Sequence, residues 1–198
     1  MLLLYAIPVG ILAGFAVGGA LDRLAATRIR LAPVALAGMA FQLALFSPPV
    51  AAALASAGAV GPALYVASTA VVFGALAANF GQRGFRLIFA GAALNMAVIV
   101  SNGGSMPASP GAWAALHGVA GVPADALTNS TLAGPMTALA FLGDIFYLPR
   151  ALPFANVFSI GDALIAVGGA WFVARTMVAA GQRLPPAAPA TKPVPVSG

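Results

Sequence analysis

Cysteine is missing from the chain. Disulfides, thiolate nucleophiles, iron–sulfur clusters and cysteine-ligated zinc are thereby excluded, and the redox compartment leaves no trace in the sequence. Charge is almost as scarce. Nine Lys plus Arg and four Asp plus Glu stand in 198 residues that are 61% apolar, whereas a soluble domain carries charge at about a quarter of its positions. Such a chain belongs in a bilayer. Histidine occurs once, as His117 in "GAWAALHGVAG", so neither a multi-histidine metal site nor a paired-imidazole haem has its ligands. No metal and no cofactor is expected. The net charge of +5 does not imply nucleic acid, because the basic residues are separated and form no patch of the kind that binds a phosphate backbone.

Apolar runs are what the sequence has in abundance. Five of them, at about residues 2–21, 31–57, 60–80, 87–100 and 157–178, approach the roughly 20 residues that a helix needs to cross a hydrocarbon core of about 30 Å. The expectation is an all-α integral membrane protein, a bundle of about five transmembrane helices over residues 1–178 with no separate soluble domain. The first run has no positive region before it and no clean cleavage pattern followed by a soluble chain, which reads as a retained helix. Residues 179–198 are rich in Pro and Ala without apolar periodicity and are expected to be a disordered cytoplasmic tail.

The connectors set an orientation. Arg23, Arg28 and Arg30 lie in "DRLAATRIR", Arg83 and Arg86 in "GQRGFR", and Arg175, Arg183 and Lys192 at the end of the last run and beyond it. The long segment 102–155 has Arg150 as its only base. Cytoplasmic loops collect Lys and Arg, so the N-terminus is expected outside and the C-terminus inside. One segment competes with this count: "TLAGPMTALAFLGDIFYL", residues 131–148, is nearly long enough for a sixth span. Its Gly134, Pro135, Gly143 and Asp144, together with the charge rule, favour a re-entrant or interfacial helical segment on the outer face.

Gly10, Gly14 and Gly18 recur every fourth residue and form one stripe, either a dimer face or, more plainly, a packing face for another helix of the same chain. Pro48 and Pro49 are expected to kink or end the second helix. Gln42 and Asn95 each lie inside an apolar run, where the plain reading is an interhelical hydrogen bond worth about 0.6 kcal/mol and the alternative a polar path.

Under this topology the remaining unusual residues converge on the outer face: Asn102, Ser105, Asp144, Arg150, Asn156, Ser159 and Asp162. Asp162 stands some 7 Å into the last run at 1.5 Å per residue, and an acid at that depth needs a partner, a proton or water. Pairing of Arg150 with Asp144 or Asp162 is the structural reading. The alternative is that one of the two carboxyls stays protonated, held neutral by burial and like charge. The stretch "VIVSNGGSMPASPG" reads as a helix stop, with Asn and two glycines turning the chain, Met106 packing on the apolar end and Pro107 starting an extended stretch. A small anion-binding nest is its alternative role. Trp113 is expected at the membrane interface.

The motifs "NGGSMP", "GDIFYLP" and "NVFSIGDALIAVGG" together resemble an uncharacterised family of small polytopic bacterial membrane proteins, a domain of unknown function, over about residues 1–178. The resemblance implies a multi-pass protein of the bacterial inner membrane and carries no catalytic role. Three functions follow from the residues. The first is a structural or accessory subunit of a membrane complex, with membrane lipids and other membrane subunits as partners. The second is a small carrier or lipid-handling protein built around the outer polar residues. The third is a membrane enzyme using Asp144 and Asp162 on a lipid-linked substrate, which ranks last because no nucleophile or metal constellation accompanies the acids.

Overall fold

Every apolar run forms a helix, and each helix stops where the chain can no longer extend its ladder of backbone hydrogen bonds. A computed structural model describes residues 2–118 and 130–178. Helix α1 covers Leu3–Ala16. It falls short of Leu21 because Gly18 turns to φ +78° and the Gly19 N–H folds back onto the Gly14 carbonyl at 2.8 Å, a helix ending that suits a residue without Cβ. A short α2, Leu21–Ala25, leads to α3, Ala32–Leu45. The apolar run 31–57 breaks there, as its proline pair leads one to expect. Helix α4, Pro48–Ala55, starts at the proline pair and leaves α3 at 74°, because proline suits the first turn of a helix and cannot continue one. Helices α5, Val60–Ala77, and α6, Phe85–Ser101, follow, then α7, Pro110–His117, and α8, Ile160–Val178.

Two of these helices, α5 and α8, are long and apolar enough by themselves to cross a membrane, and the bent α3–α4 pair makes a third if it counts as one broken span. Helices α1 and α6 are apolar but shorter, at 14 and 17 residues. The fold is mostly helical rather than wholly so. Strand β1, Met106–Ala108, pairs in parallel with β2, Ser130–Leu132, and β3, Phe146–Tyr147, pairs antiparallel with β4, Val157–Phe158. Residues 131–148, expected as a re-entrant or interfacial helical segment, contain no α-helix. They hold most of β2, turns around Gly134 and Pro135, a single 3-10 turn at Ala140–Leu142, and β3. The breakers that argued against a sixth span also prevent an interfacial helix.

The strong packing runs side by side in the order α1, α8, α6, α5, α3. Glycine sets the spacing. A Cβ on Gly10 would meet Ala170 and Val173 of α8 at 2.7–2.8 Å, and one on Gly14 would meet Met177. Two members of the expected stripe therefore pack within the chain. Gly18 does not, because it sits in the turn beyond α1 with open space around it, and Gly19 lies against Met177 instead. The contact order shows α1 and α8 running parallel. Helix α6 crosses α8 antiparallel, with Gly91 against Gly161 and Gly84 against Gly168. Such close approach is what small residues permit in helix pairs.

Alternating helix directions collect Arg23, Arg28, Arg30, Arg83, Arg86 and Arg175 at one end of the row. Asp144, Asp162, Arg150 and all four strands gather at the other. The tail expected to be disordered, with Arg183 and Lys192, lies outside the described residues. At the basic end Asn79, 2% exposed, ties the loop before α3 to the end of α5. Its Oδ1 accepts from the Arg30 N–H at 2.8 Å, and its Nδ2 donates to the carbonyls of Arg30 at 2.7 Å and Ala75 at 2.8 Å. The Gln82 side chain donates to the same Oδ1 at 2.8 Å.

Candidate functional site

The start of α8 supplies the densest group of polar side chains. Ser159, fully buried, precedes the helix, and its Oγ accepts from the Asp162 N–H at 2.9 Å. The Asp162 carboxylate in turn accepts from the Ser159 N–H at 3.1 Å. This reciprocal arrangement is a capping box with Asp in the place usually held by Glu or Gln. Asn95 of α6 closes it from the side. Its Nδ2 donates to Asp162 at 2.9 Å, and its Oδ1 accepts from the Ser159 hydroxyl at 2.8 Å. Gly161 makes room for this amide, since a Cβ there would collide with the Asn95 side chain. Asp162 thus finds its partners in a helix cap and an amide.

Arg150 plays no part in this group. It is exposed on a turn where the Leu152 N–H bonds the Pro149 carbonyl at 2.9 Å, and the expected pairing with Asp144 or Asp162 does not form. Asp144 is buried, and its backbone is held on both sides. Its N–H donates to the Pro107 carbonyl at 2.8 Å, and its own carbonyl accepts from the Ser109 N–H at 2.9 Å. Burial, and secondly the charge of Asp162, push the Asp144 carboxyl up from 3.8 to about 7. Loss of hydration at a buried site disfavours the charged form of a carboxyl and so holds it neutral. The acid pair expected from the sequence is therefore split, with Asp162 bound in hydrogen bonds and Asp144 retaining its proton near neutrality.

Asn102 does not reach Asp162. At the end of α6 its Nδ2 donates to the carbonyls of Val98 at 2.8 Å and Ala138 at 2.9 Å, while its Oδ1 accepts from the Ala138 N–H at 3.1 Å. The side chain thus pairs with one residue's backbone as a strand would. Gly103 and Gly104 follow at φ +64° and +92°, and the Gly104 N–H returns to the Ile99 carbonyl at 2.8 Å, so "SNGG" stops the helix. Met106 packs in the apolar cluster of Leu45, Tyr65, Val98 and Ile99. Ser105 lines a largely apolar cavity of about 230 Å³ with Leu45, Phe46, Leu54 and Tyr65. Asn156 turns its side chain onto the next residue's N–H at 2.9 Å. His117 stacks on Trp113 at 3.9 Å, and its Nδ1 lies 3.1 Å from the Trp113 carbonyl. Trp113 is buried rather than interfacial, with its indole N–H unpartnered among the described residues.

Asn95 belongs to the site more fully than the sequence reading allowed. The signal for the box was present as "SIGD", a Ser followed by an acid three residues later and ahead of an apolar run. Nothing local marks Asn95, whose partners lie 64 and 67 residues away. Asn95 also borders a crevice of about 150 Å³ between the helices, where Gln42, Tyr65 and Thr69 face it and the Gln42 Nε2 donates to the Thr69 hydroxyl at 3.0 Å. Among the described residues no three His or Asp side chains converge as a metal site.

A family of unknown function, DUF5317, matches residues 26–174, and the chain belongs to it. The matched region takes in α3 to α7 and most of α8, with the segment between those two helices, and so every residue of the capping box and both asparagine clamps. No curated protein and no solved structure matches the chain.

Proposed function

We propose that this chain is a five-span protein of the bacterial inner membrane with its N-terminus outside and its C-terminus cytoplasmic, acting as a structural or accessory subunit of a membrane complex. The segregation of six arginines to one end of the row supports the orientation. The carrying observation for the role is the apolar surface left open along the edges of the row. Leu12 of α1 is 69% exposed, and Leu36 and Leu43 of α3 are 66% and 75% exposed. Surfaces of this kind suit lipid or a neighbouring subunit. The polar corner supports the same reading, because its bonds are spent on capping α8 and anchoring the outer segment. Mild detergent extraction followed by mass measurement tests the role: a larger particle with a defined partner is expected, and a bare monomer overturns it. The orientation has its own test in the cysteine-free background. Single cysteines at Ser105 and Ser197 should label from outside and inside respectively, and external labelling at position 197 overturns it.

A second reading, a small carrier or lipid-handling protein, is favoured by the crevice lined by Gln42, Thr69 and Asn95. Polar side chains inside an apolar run mark pathways when they border a cavity. Replacing Gln42 by Leu and Thr69 by Val closes the polar wall. Unchanged growth and lipid composition in a strain carrying only that variant would eliminate this reading.

A further inference from the structure

Six arginines stand at the basic end of the row, but acid is scarce there. The chain has four acidic residues, Asp22, Asp125, Asp144 and Asp162. Asp144 and Asp162 lie at the far end and Asp125 lies outside the described residues, which leaves Asp22 as the one acid described near the arginines. Two of those arginines share a cavity. Arg83 and Arg86, with Gly81, Gln82, Gly84, Leu87 and Trp171, line a space of about 220 Å³ where the connector before α6 meets α8.

The walls of this cavity differ in chemistry. Arg86 is held beside the Phe80 ring, with its guanidinium carbon 5.7 Å from the centroid, a cation–π arrangement that steadies the side chain without neutralising it. Arg83 is exposed in the turn before the helix. The opposite wall is apolar. Leu87 and the half-exposed Trp171 ring give the surface that an acyl chain or glycerol backbone prefers, and tryptophan favours the headgroup level of a bilayer. Arg175 stands one helical turn beyond Trp171, on the same face of α8. The first turn of α6 carries no acid, so two cations sit where the helix dipole alone would favour negative charge. An anion from outside the chain relieves both.

We propose that this cavity binds a phosphate group whose negative charge is not neutralised by a cation on the same molecule, with the Arg83 and Arg86 guanidiniums on the phosphate oxygens and Trp171 and Leu87 against the apolar part of the molecule that carries it. Arginine suits phosphate because its planar donors can bind two oxygens at once. The assignment rests on the membrane reading, under which this end meets the inner leaflet.

The test uses the full chain in mild detergent and native mass spectrometry, with phosphatidylglycerol and phosphatidylcholine of identical acyl chains offered in equal amounts. Wild type is expected to retain phosphatidylglycerol with a preference on the order of 25-fold, since each of the two cavity arginines contributes about fivefold near an anionic headgroup. R83A/R86A should fall to within about twofold of no preference, and R28A, which removes an arginine outside the cavity, should keep the wild-type value. Equal retention of the two lipids by wild type, or the same loss in R28A as in the double variant, overturns the proposal.

Excess inorganic phosphate separates the sources. Phosphatidylglycerol that stays bound assigns the cavity to a lipid; displacement with the ion left on the protein assigns it to free phosphate, and both outcomes support the site. A second readout does not depend on the folding of the arginine variants. The chain has two tryptophans, so W113F leaves Trp171 as the only indole, and its emission should shift saturably with phosphatidylglycerol but not with phosphatidylcholine. An unresponsive Trp171 also overturns the proposal. Carbonate washing keeps the two claims apart, because a chain that stays in membranes yet shows no preference loses only this site, whereas release into the wash removes the membrane reading.

Discussion

Asn79 and Asn102 occupy opposite ends of the row, and their side chains make the same set of bonds. Each ends a helix, donates to the carbonyl four residues earlier, and grips the N–H and carbonyl of a single distant residue, Arg30 in one case and Ala138 in the other. Their surroundings differ. Asn79 is 2% exposed, receives a further bond from Gln82, and holds a loop whose Arg28 carbonyl is also reached by Gln82 at 3.4 Å. Asn102 is half-buried, and its grip is the side-chain tie between α6 and the turn at residue 138. One device thus serves as a buried brace at the basic end and as a latch at the end that carries the strands. Depth and backing set its strength, because an unpaired amide costs most where water cannot replace its partner.

This comparison can be broken. Asn79→Ala removes the bonds to the Arg30 N–H and carbonyl and the buried bond to the Ala75 carbonyl, and should cost about 2–4 kcal/mol, at roughly 1 kcal/mol for each bond lost. A thermal melt in detergent measures it, and a loss no larger than that of Asn102→Ala would dissolve the distinction between brace and latch.

The next effect belongs to the strand-bearing end alone. Asp144 is protonated when folded up to about pH 7 but ionises near 3.8 when unfolded. The folded state therefore holds the extra proton, and stability falls as pH rises between those values, by up to about 1.4 kcal/mol per pH unit. Hydrogen exchange should show the strands around Asp144 loosening over this interval while the basic end stays unchanged. Asp144→Asn should flatten the dependence; a slope that survives the substitution would place its origin elsewhere.

Asn102→Ala should cost about 1–2 kcal/mol, since water can replace part of what is lost at a half-buried site. Limited proteolysis is the sharper probe, with new cleavage expected near residue 138 and none near residue 30. Cleavage at both loops would mean that the two ends are coupled. The smallest effect is expected from Ser159→Ala, about 1 kcal/mol for a lost N-cap. Each of Ser159→Ala and Asn95→Ala breaks the bond between the two side chains, so combining the changes should cost less than the two losses added separately. Simple additivity would show that the amide is no part of the cap.

The sequence made one class of feature readable and hid another. Apolar runs located α1, α3, α5, α6 and α8, and the Pro48–Pro49 pair and "SNGG" marked breaks, because hydropathy and backbone preference act on consecutive residues. The ends were less legible. Gly18 stopped α1 early, whereas the proline pair bent the second run by 74° as expected. The outer strands, two or three residues long, are too short for an alternating pattern to register. The polar corner was recognised as a group, but its connections could not be read. Asn102 chooses a backbone 36 residues on, and Asp162 an amide 67 residues back. Arg150, the apparent partner by charge, faces solvent because its turn points it outward. Which polar groups meet is decided by the crossing of α6 and α8, and glycines rather than charges fix that crossing.

The parallel pairing of α1 with α8 also bears on how the chain is made. The face of α1 around Gly10 and Gly14 fits Ala170, Val173 and Met177, so its complement is synthesised about 160 residues later. At roughly 5–20 residues per second this is a wait on the order of 10–30 s. During that time the first helix has no mate of its own chain. A helix made early and matched last depends on whatever holds it in the meantime, and the ribosome must finish nearly the whole row before the first seam can close.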